Sequence, residues 1–233
     1  MEKNSMDPSR CIVLVPIGGY LEPECARGLA QLEARGYAVR AVPRYAAIDQ
    51  GRSQMATDAL LEDYEALMWI DSDVGFDPDA VDMLREHDLP VACGIYPRKG
   101  VRELACSVLP DTPRIMFGEG GGLMEIRYSA MGFCFTKRTV YEQMIVHEEL
   151  PVCNKQFDRI TVPYFIPMLL PQGENDYWYM NAEYSFCERA RRSGFRIMAD
   201  TRIRLGHIGR HSYFWEEAGM DRPRYATYEF NIV

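Results

Sequence analysis

The sequence lacks a surplus of positive charge, a paired-cysteine motif and any long apolar run. Lys and Arg number 26 against 34 Asp and Glu, a formal net charge of −8, which excludes general binding of DNA or RNA through a basic surface. The seven cysteines (Cys11, Cys25, Cys93, Cys106, Cys134, Cys153 and Cys187) are odd in number and include no C-x-x-C pair. Most stand in apolar runs, so they read as small buried hydrophobes in a reducing compartment, not as a disulfide frame or zinc site. No stretch approaches the ~18 apolar residues of a membrane-spanning helix. The opening MEKNSMDPSR is too polar for a secretory signal. A cytoplasmic chain is expected, with peripheral membrane attachment left open. Phosphate-binding fingerprints are missing too. Gly120 to Gly122 are not followed by Gly-Lys-Ser/Thr, and Gly18-Gly19 lacks dinucleotide-motif spacing. Repeats, low-complexity tracts and linkers are absent, so the 233 residues are expected to form one continuous domain.

What is present is an alternation of strand and helix patterns over the first hundred residues. Cys11 to Val15 is a strand-length apolar run bounded by Pro16 and Gly18-Gly19. Cys25, Leu29 and Leu32 recur at helical spacing before Gly36, a helix stop. Tyr37, Val39 and Ala41 alternate as a strand, and a helix is expected from about Gln50 to Tyr64. Ala66 to Ile70 is apolar throughout, as in a parallel strand buried on both faces. Asp77-Pro78 caps a helix with Val81 and Leu84 inward, and Leu89 to Tyr96 returns as a strand. Such alternation predicts an α/β fold with a mainly parallel sheet flanked by helices. Further on, Ile115 to Ile126 reads as a hairpin, Met131 to Phe135 as a strand and Thr139 to His147 as a helix. Residues 150–175 read as loop, Asn181 to Arg192 as a helix, and Phe195 to Ala199 as a strand.

The chemistry concentrates in three places. Asp71-Ser72-Asp73 follows ALMWI directly, at the carboxyl end of a strand, where open α/β sheets bind ligands. Residues two apart in extended backbone point the same way, so two carboxylates can face one point. Carboxylate oxygens suit Mg²⁺ or Mn²⁺, and such a cation suits a diphosphate. Glu183 opens the helix at 181–192 behind Tyr177, Trp178 and Tyr179, an acid beside aromatic pocket walls. His207 lies between Gly206 and Gly209 and can complete a metal site with Asp73. Arg52, Arg98 and Lys99 stand near strand ends, where cations can neutralise phosphates. Each of these has a bland counterpart: a solvated turn, a dipole-favoured acid, core aromatics, surface charge.

Four segments together resemble the GT-A fold glycosyltransferases: GRSQMATDALLEDYEALMWIDSDVGFDPDAV, VACGIYPRKG, MGFCFTKRTVYEQM and NAEYSFCERARRSGFRIMADTRIRLGHIG. They occur in the superfamily's order over residues 51–209. The resemblance implies a single GT-A, Rossmann-like domain over 1–233. Residues 1–100 would form the nucleotide-sugar half, and 101–233 the acceptor half with an aromatic tail. It implies Mn²⁺ or Mg²⁺ held by Asp71, Asp73 and His207, with Pro16, Gly18, Tyr20, Arg52, Ser72 and Arg98 around a UDP- or GDP-sugar. Gly132, Tyr177, Trp178 and Tyr179 would border a carbohydrate or other hydroxyl acceptor. Glu183 matches the base of inverting members, which usually read Glu-Asp where this chain has Ala182-Glu183. Two other readings are carried: a sugar-phosphate nucleotidyltransferase, against which the absence of Arg or Lys in VPIGGYLEPE counts, and a non-catalytic sugar-nucleotide-binding module. The tail aromatics Tyr213, Phe214, Trp215, Tyr225, Tyr228 and Phe230 are expected to pack on the domain, and a homodimer is left open.

Overall fold

A computed structural model describes residues 6–43, 47–209, 211–218 and 227–232. The first part runs β1 (Cys11–Ile17), α1 (Pro23–Ala34), β2 (Ala38–Pro43), α2 (Ile48–Leu61), β3 (Ala66–Ile70), β4 (Val74–Gly75), α3 (Asp79–Glu86) and β5 (Val91–Cys93). The second part adds β6 (Cys106–Val108), β7 (Arg114–Gly118), β8 (Leu123–Ser129), β9 (Phe133–Lys137), α4 (Arg138–His147), β10 (Met168–Gly173) and β11 (Asp176–Met180). Then come α5 (Ala182–Arg192), β12 (Ile197–Asp200), β13 (Gly206–His207), α6 (Trp215–Ala218) and β14 (Thr227–Asn231).

Eight strands form the central sheet in the order β2-β1-β3-β9-β5-β12-β8-β6. Only β9 and β8 run against the others. The expected class, an α/β fold with a mostly parallel central sheet, flanking helices and small antiparallel elements, is therefore the one observed. β3 is buried at every position because neighbours cover both edges and two cores cover both faces. Its Leu67 and Trp69 enter one core, and Ala66, Met68 and Ile70 the other. The helix stops follow local backbone chemistry: Gly36 ends α1 at φ +92° and Gly194 follows α5 at φ +90°, left-handed values that favour glycine.

Three expectations need correction. Residues 115–126 are not a hairpin: β7 and β8 turn apart at Gly118 to Gly122, β7 pairing with β14 and β8 with β12 and β6. Thr201 holds them apart, its backbone C=O accepting from Gly118 N–H at 3.0 Å and its hydroxyl oxygen from Gly122 N–H at 2.9 Å. Residues 150–175 are not all loop, since β10 pairs antiparallel with β11. Its proline-containing strand lies in a two-stranded sheet, where a missing N–H is tolerated. The strand expected over 89–96 shrinks to β5. Asp77 behaves as expected, its carboxylate accepting from Asp79 N–H at 3.0 Å. Five cysteines are buried, Cys106 and Cys153 are half-buried, and all are free. In the tail, Trp215 is buried and stacks on Phe117 at 5.1 Å, and Phe230 packs against the core. Tyr225 and the Tyr228 side chain lie outside the described residues. No described helix is long and apolar enough to cross a membrane.

Candidate functional site

The loop after β3 is fixed by backbone hydrogen bonds from three directions. Asp71 N–H donates to Gly132 C=O at 2.9 Å, Glu22 N–H to Ser72 C=O at 2.9 Å, and Ile208 N–H to Asp73 C=O at 2.7 Å. The Cys25 thiol also donates to Asp71 C=O at 3.5 Å. β13 pairs with β4, setting His207 opposite Val74. That short pairing carries a histidine from the far end of the chain to the Asp-Ser-Asp turn.

Asp71 faces inward. Its Oδ1 accepts from Arg52 Nη2 at 2.6 Å, and Arg52 Nε lies 3.5 Å from Glu183 Oε1. Arg52, on α2, is 1% exposed and lies against Trp69 and Phe165, 5.4 and 6.0 Å from their ring centres. Its Nε and Nη1 find no hydrogen-bond acceptor among the described residues, so the two acids supply its charge compensation. Burial raises the Asp71 pKa above its usual value against the opposing pull of Arg52, and the charges of Asp73 and Glu183 add to the rise. Gly132 is needed here for space. A Cβ would stand 2.1 Å from Tyr96 Oη and 2.6 Å from Asp71 Oδ2. Its N–H donates to Tyr96 Oη at 3.1 Å.

Asp73 faces outward. Lys99 Nζ donates to its Oδ2 at 2.7 Å, and His207 Nε2 lies 3.6 Å from the same oxygen. Burial works to raise the Asp73 pKa, but His207 and Lys99 overcome it and hold it lowered to about 2. His207 Nδ1 lies 2.8 Å from Pro97 C=O. A carbonyl only accepts, so Nδ1 carries a proton, which leaves Nε2 as the ring nitrogen that faces Asp73 and could ligate a metal. Two donors 3.6 Å apart suit a shared divalent cation with bonds of roughly 2.1 Å after a small adjustment. The expected metal trio of Asp71, Asp73 and His207 is not gathered here, as no group of three metal-ligating side chains occurs among the described residues. Phosphate oxygens and water would fill the positions beside Asp73 and His207, as Mg²⁺ prefers.

A cavity of about 770 Å³ joins these parts, with Asp71, Asp73, Tyr96, Glu183 and His207 in its wall. Trp178 and Arg98 line it, the latter ion-paired with Glu103. Tyr177 and Tyr179 do not, being 59% and 72% exposed, because alternation along β11 sends them opposite to Trp178. Pro16, Gly18 and Tyr20 lie at the carboxyl end of β1 on the same sheet edge but outside the cavity wall, with Tyr20 85% exposed. Arg52, Ser72 and Gly132 also lie outside the wall, behind the acids. Sequence reasoning missed Tyr96, Glu103, Asn181 and Tyr184. Of these, Asn181 carried a signal: it is the N-cap of α5, accepting from Tyr184 N–H at 2.8 Å. A second cleft of about 870 Å³, lined by α2 and residues 153–166, shares no wall residue with the first.

No protein-family model matches the chain, and no curated protein matches it in sequence. Solved structures resemble it in shape. A197 from STIV is 19% identical and superposes with a TM-score of 0.56 over 86% of each chain, a shared fold. GalNAc-T7, solved with UDP, GalNAc and Mn²⁺, is more distant, at 10% identity and a TM-score of 0.47 over 91% of this chain and 45% of that one. The inositol-1-phosphate CTP transferase from T. maritima is 12% identical, with a TM-score of 0.36 over 82% of this chain and 66% of that one.

Proposed function

We propose that the chain is a GT-A type glycosyltransferase that moves a sugar from a nucleoside-diphosphate donor to an acceptor hydroxyl. The observation that carries this reading is the convergence of Asp71, Asp73, Glu183 and His207 on one cavity at the carboxyl edge of the sheet. Asp73 and His207 would hold Mn²⁺ or Mg²⁺, which when bound would neutralise charge gained by the leaving diphosphate. Glu183 sits in the first turn of α5 and lines the cavity, with Oε1 3.5 Å from Arg52 Nε. It would take the proton from the attacking hydroxyl, giving inversion at the anomeric carbon. Arg52 holds Asp71 and Glu183 in fixed relation from behind. Trp178 and Tyr184, on β11 and α5, supply apolar faces for a sugar ring in the acceptor half.

The test is donor turnover with a panel of nucleotide sugars and Mn²⁺. Wild type should hydrolyse or transfer at least one, and Asp73→Asn should not. Glu183→Gln should lower kcat by about 100-fold or more while donor affinity holds. An unchanged kcat would remove Glu183 as the base. Pyrophosphate release from a sugar phosphate and a nucleoside triphosphate would replace the reading with a nucleotidyltransferase.

A further inference from the structure

The position a divalent cation would take beside Asp73 already contains a positive charge. Lys99 Nζ lies 2.7 Å from Asp73 Oδ2, the oxygen that faces His207 Nε2 at 3.6 Å. The placement is built. Lys99 follows the Pro97–Leu104 bridge, and Arg98 N–H donates to Glu103 C=O at 2.8 Å, folding residues 97–104 back on themselves. Gly100 turns that loop at φ +74°. The same segment is tied to His207 through Pro97 C=O. Lys99 also packs across Gly209, where a Cβ would lie 3.6 Å from its Nζ. Ammonium, histidine and carboxylate are thus brought to one point by two segments pinned to each other.

We propose that Lys99 is a resident counter-ion of Asp73, which a divalent cation must displace to bind. The ammonium donates to the Asp73 oxygen that the ion needs, and two positive charges cannot share that oxygen at bonding distance without strong repulsion. Asp71 is a poorer anchor than Asp73, since its Oδ1 is already held by the buried Arg52. The free protein therefore binds the cation weakly. A diphosphate arriving with the ion supplies both extra ligands and an acceptor for the released ammonium, so the two bind cooperatively. The proposal rests on the transferase reading only for the identity of that diphosphate.

Mn²⁺ binding to the nucleotide-free protein, followed by electron paramagnetic resonance of the free ion, tests this without any turnover. Lys99→Met should bind Mn²⁺ about fivefold more tightly than wild type, the order expected for removing a half-exposed competing ion pair. Lys99→Arg should stay near wild type, and Asp73→Asn should abolish binding. UDP should tighten Mn²⁺ binding more in wild type than in Lys99→Met, because only wild type has an ammonium to displace. Matching thermal melts would show that the variants fold. Equal or weaker Mn²⁺ affinity in Lys99→Met, or no Mn²⁺ binding in any variant, overturns the proposal. Tighter binding in Lys99→Met with no turnover of any nucleotide sugar would support the counter-ion and sink the transferase reading. Turnover with unchanged Mn²⁺ affinity would do the reverse.

Discussion

The two aspartates of one short motif live in different worlds. Asp71 is backed by a buried arginine, a glycine with no room for a side chain, and the phenol of Tyr96. Asp73 meets Lys99 on a loop and His207 on the two-residue β13, and its side chain is 35% exposed against 28% for Asp71. Asp71 is therefore the carboxylate tied to the core, through an arginine it shares with Glu183, whereas Asp73 is the one held by partly exposed side chains. A two-letter motif conceals this division, because alternation brings both side chains to one edge but does not say what stands behind each.

Stability measurements can break or sharpen the contrast. Arg52→Met should have the largest effect, about 3 kcal/mol lost in urea unfolding, because it strands the half-buried Asp71 and Glu183 without their shared partner. A variant as stable as wild type would erase the distinction between the two halves. Gly132→Ala should follow, at roughly 1–3 kcal/mol from overpacking, with catalysis more damaged than stability because Asp71 and Tyr96 must both move. On the open side, Asp73→Asn should change unfolding free energy by less than about 1 kcal/mol at neutral pH while removing Mn²⁺ binding. Its trace should appear in acid. The folded pKa of about 2 lies below the ordinary 3.8. The stabilisation from Asp73 is thus complete above the unfolded value and lost as pH falls through the folded one. Wild type should show a steeper stability loss across that window than Asp73→Asn. Smallest of all, Arg98→Ala should stay within about 0.5 kcal/mol, as for an exposed pair with Glu103.

The parts of the molecule that were legible in sequence share a physical reason. Strands and helices buried on a face declare themselves by period, as ALMWI and the α1 spacing did. The Asp-Ser-Asp turn was legible because a fully apolar strand points at it, and His207 because its neighbouring glycines set it apart. Arg52 was visible as a cation but not as a buried one. Its burial follows from Trp69 and Phe165, which lie 17 and 113 residues away in sequence (69 − 52 and 165 − 52). Tyr96 was hidden in an apolar run, and its role appears only when β9 brings Gly132 against it. The apparent hairpin at 115–126 failed because a glycine-rich turn reports that the chain bends, while strand partners are chosen by distant segments: residues 227–231 for one arm and 197–200 for the other.

The β10–β11 hairpin is addressed from two sides. Its register pairs Leu170 with Trp178 and Leu169 with Tyr179, and shifts between Pro171 and Gly173. Trp178 borders the cavity while the tyrosines on either side of it meet solvent. Sequence drift or engineering at Tyr177 and Tyr179 can therefore retune the outer surface and leave the cavity wall alone. Inserting one residue before Tyr177, with the hairpin turn held, would exchange the two faces at a stroke, moving Tyr177 to where the indole had been.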